Sequence, residues 1–307
     1  MDQNRDIMTQ PQAKVYIDRY SLSAAPSLQR DTPLVGHVHS CYARILNIQT
    51  PGGQLLTLQG PGLLQAPCAA SLTEEIENYA RLLAPGDPVV RNDQAPGALC
   101  LILAAATLWD GRLLPLANLS AATLQVAAEK LTQWLAQHVS GQGLVPVLAA
   151  FNGAAVRSPL HRRFCNALMP VLAARHVSAS SMADMAAQIV GLGEGLTPSG
   201  DDLLVGFWAV LHLTGHATML LPAPAWLAPL VANTTDLSAA FLRCALEGHF
   251  SELMVRLLHA LYSADPNAWQ TPAADLARVG HSSGVDAMAG IVFANQLLAS
   301  VSIISPQ

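Results

Sequence analysis

The sequence predicts an α+β protein with a β-rich, barrel-like N-terminal domain followed by a mostly α-helical C-terminal domain. Three observations carry this reading. Short segments of alternating or β-branched residues, punctuated by Pro-Gly turns, fill the first third of the chain. Helical periodicity fills the remainder. Within that remainder one motif, Ser-Gly-x-Asp-x-x-x-Gly, occurs twice, 84 residues apart, from Ser199 to Gly206 and from Ser283 to Gly290.

Residues 1–14 read as a disordered tail, 15–118 as the β-rich domain and 119–307 as the helical domain. In the β-rich part, Val35–Ser40 and Ala43–Ile48 have strand character. Pro51-Gly52-Gly53 is a turn, and Gln54–Leu58 returns as the second strand of a hairpin. Pro85-Gly86-Asp87-Pro88 marks a further turn before a Val89-Val90 strand, and Leu99–Leu103 is short and apolar enough for a buried strand. A helix is expected from Ser71 to Leu83, capped by Ser71 or Thr73 with acids in its first turn. The helical part opens with an amphipathic helix over Ser120–Val139 that ends at Ser140-Gly141. Further helices are expected over Leu160–Ala174, Met182–Val190, Ser199 to about Gly215, Ser238–Tyr262 and Ser283–Val301. The two Ser-Gly-x-Asp starts are explained equally well by duplication and by independent capping.

The chain is 51% hydrophobic and only 12% charged, with a mean hydropathy of +0.33. So little charge calls for a large core or for faces covered by other subunits, including copies of the same chain. A net charge of -5 without a basic patch argues against nucleic-acid binding. The polar opening Met1–Asp6 lacks the apolar core of a signal peptide. The most apolar stretch, Leu203–Val231, is broken by His212, His216, Pro222 and Pro224, which disfavours a membrane span. Five scattered cysteines, an odd number with no Cys-x-x-Cys pair, fit reduced thiols and a cytoplasmic location.

Two glycine-flanked helix N-termini, each with unpaired backbone N–H groups, suit small anions. In the first copy, Gly193 and Gly195 let amides converge, while Thr197, Ser199 and Gly200 line the entry to the helix. Asp202 is the expected capping acid, accepting the Ser199 N–H, which leaves Asp201 to face a ligand, a metal or a partner lysine. In the second copy, His281 precedes the helix, where the dipole would favour neutral imidazole suited to acid–base work. Ser282, Ser283 and Gly284 follow it, and Asp286 is the matching cap. These three residues are too close on one helix start to form a Ser283–His281–Asp286 triad. Arg243, in the apolar run Ser238–Gly248, needs either a carboxylate partner or a bound anion. Gly248 then sits inside a helix, a position that implies close packing. Nucleotide-binding glycine loops and zinc-protease histidine pairs are absent from the sequence.

Three segments together resemble one bacterial family, long catalogued as a domain of unknown function, that includes the oxamate carbamoyltransferase subunit AllH (YlbF) and its paralogue YahE. They are Gly191–Asp202, Thr234-Thr235-x-x-Ser238-x-x-Phe241-Leu242-Arg243-x-Ala245-x-x-Gly248, and Gly280–Asp286. The resemblance covers the C-terminal half in order and spacing. It implies a subunit that works with AllF (FdrA)-like and AllG-like partners in anaerobic allantoin breakdown, converting oxalurate and phosphate to oxamate and carbamoyl phosphate. It also implies site roles for Thr197, Ser199, Asp201, Asp202, Arg243, His281, Ser283 and Asp286. On this reading His281, Asp201 and Arg243 are the catalytic candidates, no metal is held by the chain, and Mg2+ remains an option as cofactor. The alternatives are a non-catalytic assembly subunit and a metal-dependent hydrolase built on Asp201, Asp202, His281 and Asp286.

Overall fold

A computed structural model describes residues 13–29, 33–80, 83–91, 98–116, 119–174, 176–220, 230–300 and 302–303. Most of the expected tail and the expected boundary at Asn118 lie outside them. The chain divides into two compact units, residues 1–111 and 112–307.

The first unit is a mixed β-barrel. Its strands are β1 (Ala13–Ser21), β2 (Leu34–Cys41), β3 (Ile45–Gln49), β4 (Leu55–Gln59), β5 (Ala69–Leu72), β6 (Pro88–Arg91), β7 (Leu99–Ile102) and β8 (Thr107–Trp109). The sheet runs β5-β4-β3-β2-β6-β7-β1-β8, and an antiparallel β1–β5 pairing closes seven of these strands into a ring. β8 extends the edge by pairing with the second half of β1. Two single helical turns, α1 (Ala25–Leu28) and α2 (Glu77–Ala80), lie between strands. The expected strands appear as β2, β3 and β4, whose Val35, Val38, Leu46, Ile48, Leu56 and Leu58 fill the barrel, and β4 is buried along its whole length. The hairpin turn over Pro51–Gly53 forms with Gly53 at φ +74°, and the Gly53 amide donates to the Thr50 carbonyl at 2.8 Å.

The helix expected over Ser71–Leu83 is reduced to the single turn α2, because Ser71 and Leu72 are strand; residues 81–82 lie outside the described segments. Ala69–Leu72 is β5, hydrogen-bonded between β4 and β1. Ser71 does not cap a helix: its hydroxyl donates to Gln65 Oε1 at 2.9 Å and accepts from Gln59 Nε2 at 3.1 Å. Closing the ring needs a strand there, and that tertiary demand outweighs local helix signals.

The second unit is helical: α3 (Ala121–His138), α4 (Val145–Phe151), α5 (Pro159–Ala173), α6 (Ala179–Ile189), α7 (Ser199–Leu213), α8 (Asp236–Leu246), α9 (Glu252–Leu261), α10 (Gln270–Ala277) and α11 (Ser283–Ser300). A short parallel pair, β9 (His176–Val177) and β10 (Ser302–Ile303), accompanies them. Ser120 caps α3 by accepting the Thr123 amide at 3.1 Å. The single helix expected over Ser238–Tyr262 is instead two. Gly248 takes φ +84°, and the amides of Gly248 and His249 return to the carbonyls of Ala245 and Cys244. This glycine therefore ends α8 in the left-handed conformation instead of sitting inside a helix. Short helices α4 and α10 lack a clear periodic signature in the sequence and were not expected.

Both copies of the motif open the most deeply buried helices, α7 and α11, whose Phe207, Trp208 and Phe293 lie in the core of the unit. No helix among the described residues is long and apolar enough to cross a membrane. Thiols are free at Cys41, Cys100 and Cys165.

Candidate functional site

The two motif copies meet. A methyl group placed on Gly206 of α7 would overlap the Ala287 carbonyl of α11, and one on Gly290 of α11 would overlap the Leu203 carbonyl of α7. Each relation maps onto the other under the 84-residue offset, as in a two-fold self-packing interface. The second position of each motif is equally constrained. Gly200 packs on the last carbonyl of α6, Ile189, and Gly284 packs on the Leu276 carbonyl of α10. The motif therefore encodes a helix crossing at which backbones touch, with a preceding helix end tucked against each start.

The acids follow the same exchange. The Ser283 hydroxyl lies close enough to Asp202 to favour its charged form, and the Ser199 hydroxyl does the same for Asp286. α7 has no side-chain cap, so the Ser199–Asp202 capping arrangement does not form. Pro198, which has no N–H, takes the cap position, and each serine faces the acid of the other helix. Asp286 accepts the Leu144 amide at 2.7 Å and the Ser282 hydroxyl at 2.9 Å. A Cβ on Gly143 would strike its carboxylate.

Asp202 and Asp286 are 7% and 0% exposed. Burial pushes Asp202 up to about 8, aided by the charges of Asp286 and Asp201 and opposed by the hydroxyls of Ser283 and Thr197. Burial pushes Asp286 up to about 6, against the hydroxyls of Ser199 and Ser282 and the Leu144 amide. Asp202 Oδ2 is buried without a hydrogen-bond partner.

Asp201 is engaged within the chain. It is 1% exposed and accepts from the Gly191 amide at 2.8 Å, the Ser238 hydroxyl at 2.7 Å and the Thr234 hydroxyl. It pins α7 to the turn before it and to the start of α8. Burial raises its pKa, and those three donors oppose the rise. Thr234 and Ser238 were legible only as motif residues. Gly143 and Leu144 gave no site signal, because Ser140-Gly141 reads only as a helix end.

The remaining candidates are dispersed. Arg243 lies on the exposed face of α8, so an apolar sequence neighbourhood did not mean a buried guanidinium. His281 is exposed in the turn before α11. No hydrogen bond or ion pair among the described residues joins any two of His281, Asp201 and Arg243. Nor does any set of three or more His, Cys, Asp or Glu side chains among those residues gather as a metal ion would need.

Around the crossing are two turns shaped by glycine. Gly191, Gly193 and Gly195 take φ of +70°, +132° and +90°, and Gly280 takes +63°. Among the described residues, the amides of Gly193, Glu194, Gly195 and Leu196 donate no hydrogen bond, nor do those of Gly280, His281, Ser282 and Ser283. The Gly200 and Gly284 amides, by contrast, are spent on the carbonyls of Leu192 (2.9 Å) and Val279 (3.2 Å).

No solved structure matches the chain. Residues 13–108 match the AllH family N-terminal domain, and residues 189–295, which span both motif copies, match the oxamate carbamoyltransferase subunit AllH. The chain belongs to the AllH family and is a subunit of the oxamate carbamoyltransferase type.

Proposed function

We propose that this chain binds the anionic reactants of a carbamoyltransferase that converts oxalurate and phosphate to oxamate and carbamoyl phosphate. It does so beside AllF (FdrA)-like and AllG-like subunits in anaerobic allantoin catabolism. The observation that carries the reading is the pair of glycine turns with undonated amides at two helix N-termini that cross within their first two turns. Unpaired N–H groups at a helix start attract carboxylate or phosphate. Every reactant and product here carries one of these groups.

In the transfer, a phosphate oxygen adds to the carbamoyl carbon, the carbon–nitrogen bond breaks, and the departing oxamate nitrogen takes a proton. Amides aimed at the developing oxyanion would lower the barrier. In this reading His281, exposed beside the second turn, shuttles the proton, and Gly193, Gly195, Thr197 and Ser283 surround the anion. Mg2+ would enter, if needed, with the phosphate.

A second reading, an assembly subunit without chemistry, draws support from Asp201, Gly200 and Gly284, whose polar groups are all engaged within the chain. The deciding experiment measures carbamoyl phosphate formed from oxalurate and phosphate by the chain alone and with its partner subunits. The same assay is run on His281→Ala and Gly195→Val. Loss of turnover in complexes that still assemble supports the binding and catalytic reading. Full turnover in both variants supports assembly, and inactivity in every combination points to another substrate.

A further inference from the structure

The crossing of α7 and α11 holds two buried carboxyl groups that the proposed chemistry does not use. Asp202 and Asp286 come from equivalent positions of the two motif copies, and each faces the serine of the other helix. No lysine or arginine among the described residues makes an ion pair with either. One oxygen, Asp202 Oδ2, is buried with nothing to donate to it. Two carboxylates cannot both stay ionised in such a place without a compensating cation. A single proton resolves this for the pair, because it gives the bare oxygen a hydrogen and leaves one charge between the two carboxyls.

We propose that Asp202 and Asp286 hold one proton between them at neutral pH and act as a single acid–carboxylate unit that locks the α7–α11 crossing and sets the spacing of the two glycine turns. They are positioning residues. Their effect on turnover rests on the proposed function, but the shared proton does not.

The surroundings leave the proton little else to answer to. On α7, Asp201 is the further carboxyl acting on Asp202, and His212 lies near the far end of the helix. On the elements packed nearby, Glu129, Lys130 and His138 of α3, His161, Arg162 and Arg163 of α5, Asp184 of α6, Asp236, Arg243 and Glu247 of α8, Arg256 and His259 of α9, and Asp275 and Arg278 of α10 are none of them buried, and the buried Glu252 of α9 is paired with Arg256. Raising the pH therefore strips the shared proton with no cation to replace it, and two charges then press the crossing apart.

The test is carbon-13 NMR of the full chain labelled at the aspartate carboxyls, titrated from pH 5 to 9 and repeated on Asp202→Asn. The expected result is one protonated carboxyl persisting at pH 7 in the native chain and missing in the variant. Carboxyls that are all ionised at pH 7 in the native chain overturn the proposal, and that spectrum decides the matter even if the variant does not fold. In the assembled complex, kcat is expected to fall on an alkaline limb that Asp202→Asn removes. An identical limb in the variant overturns the positioning role. A complex without turnover on oxalurate leaves the NMR result standing and counts against the proposed reaction alone.

Discussion

The first turns of α7 and α11 open the same motif and, over Ser199–Asp202 and Ser283–Asp286, differ at one buried position, Asp201 in the first and Val285 in the second. The shared residues, two glycines, a serine and an acid in each copy, all serve the crossing. The difference marks where the copies part. Asp201 gathers three donors from outside its own helix and fixes the long 191–198 turn and the start of α8. Val285 fills core, and its turn is short. Repeated residues here report architecture, whereas the unrepeated acid reports what was added to one copy.

That comparison can be broken most severely at its centre. Gly206→Ala and Gly290→Ala each drive a methyl group into an opposing backbone carbonyl, and each is expected to cost at least about 1–3 kcal/mol, since backbone cannot swing aside as a side chain can. Denaturant midpoints should fall equally for both. The double variant should lose less than the sum, because one separation of the helices relieves both overlaps. Unequal losses would mean that the two-fold relation is only formal.

Next comes the position where the copies differ. Asp201→Ala leaves two hydroxyls and an amide without their acceptor and is expected to cost about 2–3 kcal/mol. Val285→Ala should cost about 1–2 kcal/mol through buried area alone. Equal costs from chemical denaturation would erase the distinction drawn between the copies.

The shared acids sharpen the comparison through pH. Both Asp202 and Asp286 titrate above the ordinary carboxylate range when folded, so the folded chain keeps protons that the unfolded chain has released. Stability is therefore fully present below about pH 4, the unfolded value, and declines as pH rises through the folded values of about 6 and about 8. Asp202→Asn should flatten most of that slope and should be the more stable protein at pH 8.5, as read from urea midpoints across the range. A native chain whose stability is level from pH 5 to 8 would refute this. The smallest effects belong to His281→Ala and Arg243→Ala, which change exposed residues. Thermal midpoints should not move, and any change in turnover of the complex is then a change in chemistry.

The elements that were legible in the sequence are those whose signal is internal to the element. The strands β2 to β4, the Pro51–Gly53 turn and the amphipathic helix α3 all came through because neighbours in sequence supply the cause. The expected helix over Ser71–Leu83 took in the last two residues of β5, because the reason for a strand there lies in its pairing with β1 and β4 and not in its own sequence. The site shows the same division. The two motif starts and their glycines were visible, but the partners of Asp201 and Asp286 come from Thr234, Ser238 and Leu144, which no local pattern connects to them. Arg243 was misjudged for a related reason: apolar neighbours in sequence do not say which face of a helix a residue occupies.

The β1 strand of the barrel has a consequence for how the protein is made. It pairs with β5 on one edge and with β7 and then β8 on the other, strands that begin at Ala69, Leu99 and Thr107. During synthesis, the first of the barrel's strands to leave the ribosome is thus among the last to find its neighbours. Until the chain has grown past Trp109, both of its edges offer free N–H and C=O groups to any passing strand. A nascent chain stalled or cleaved before that point would carry an open β-edge, which makes completion of the barrel a checkpoint between productive folding and aggregation.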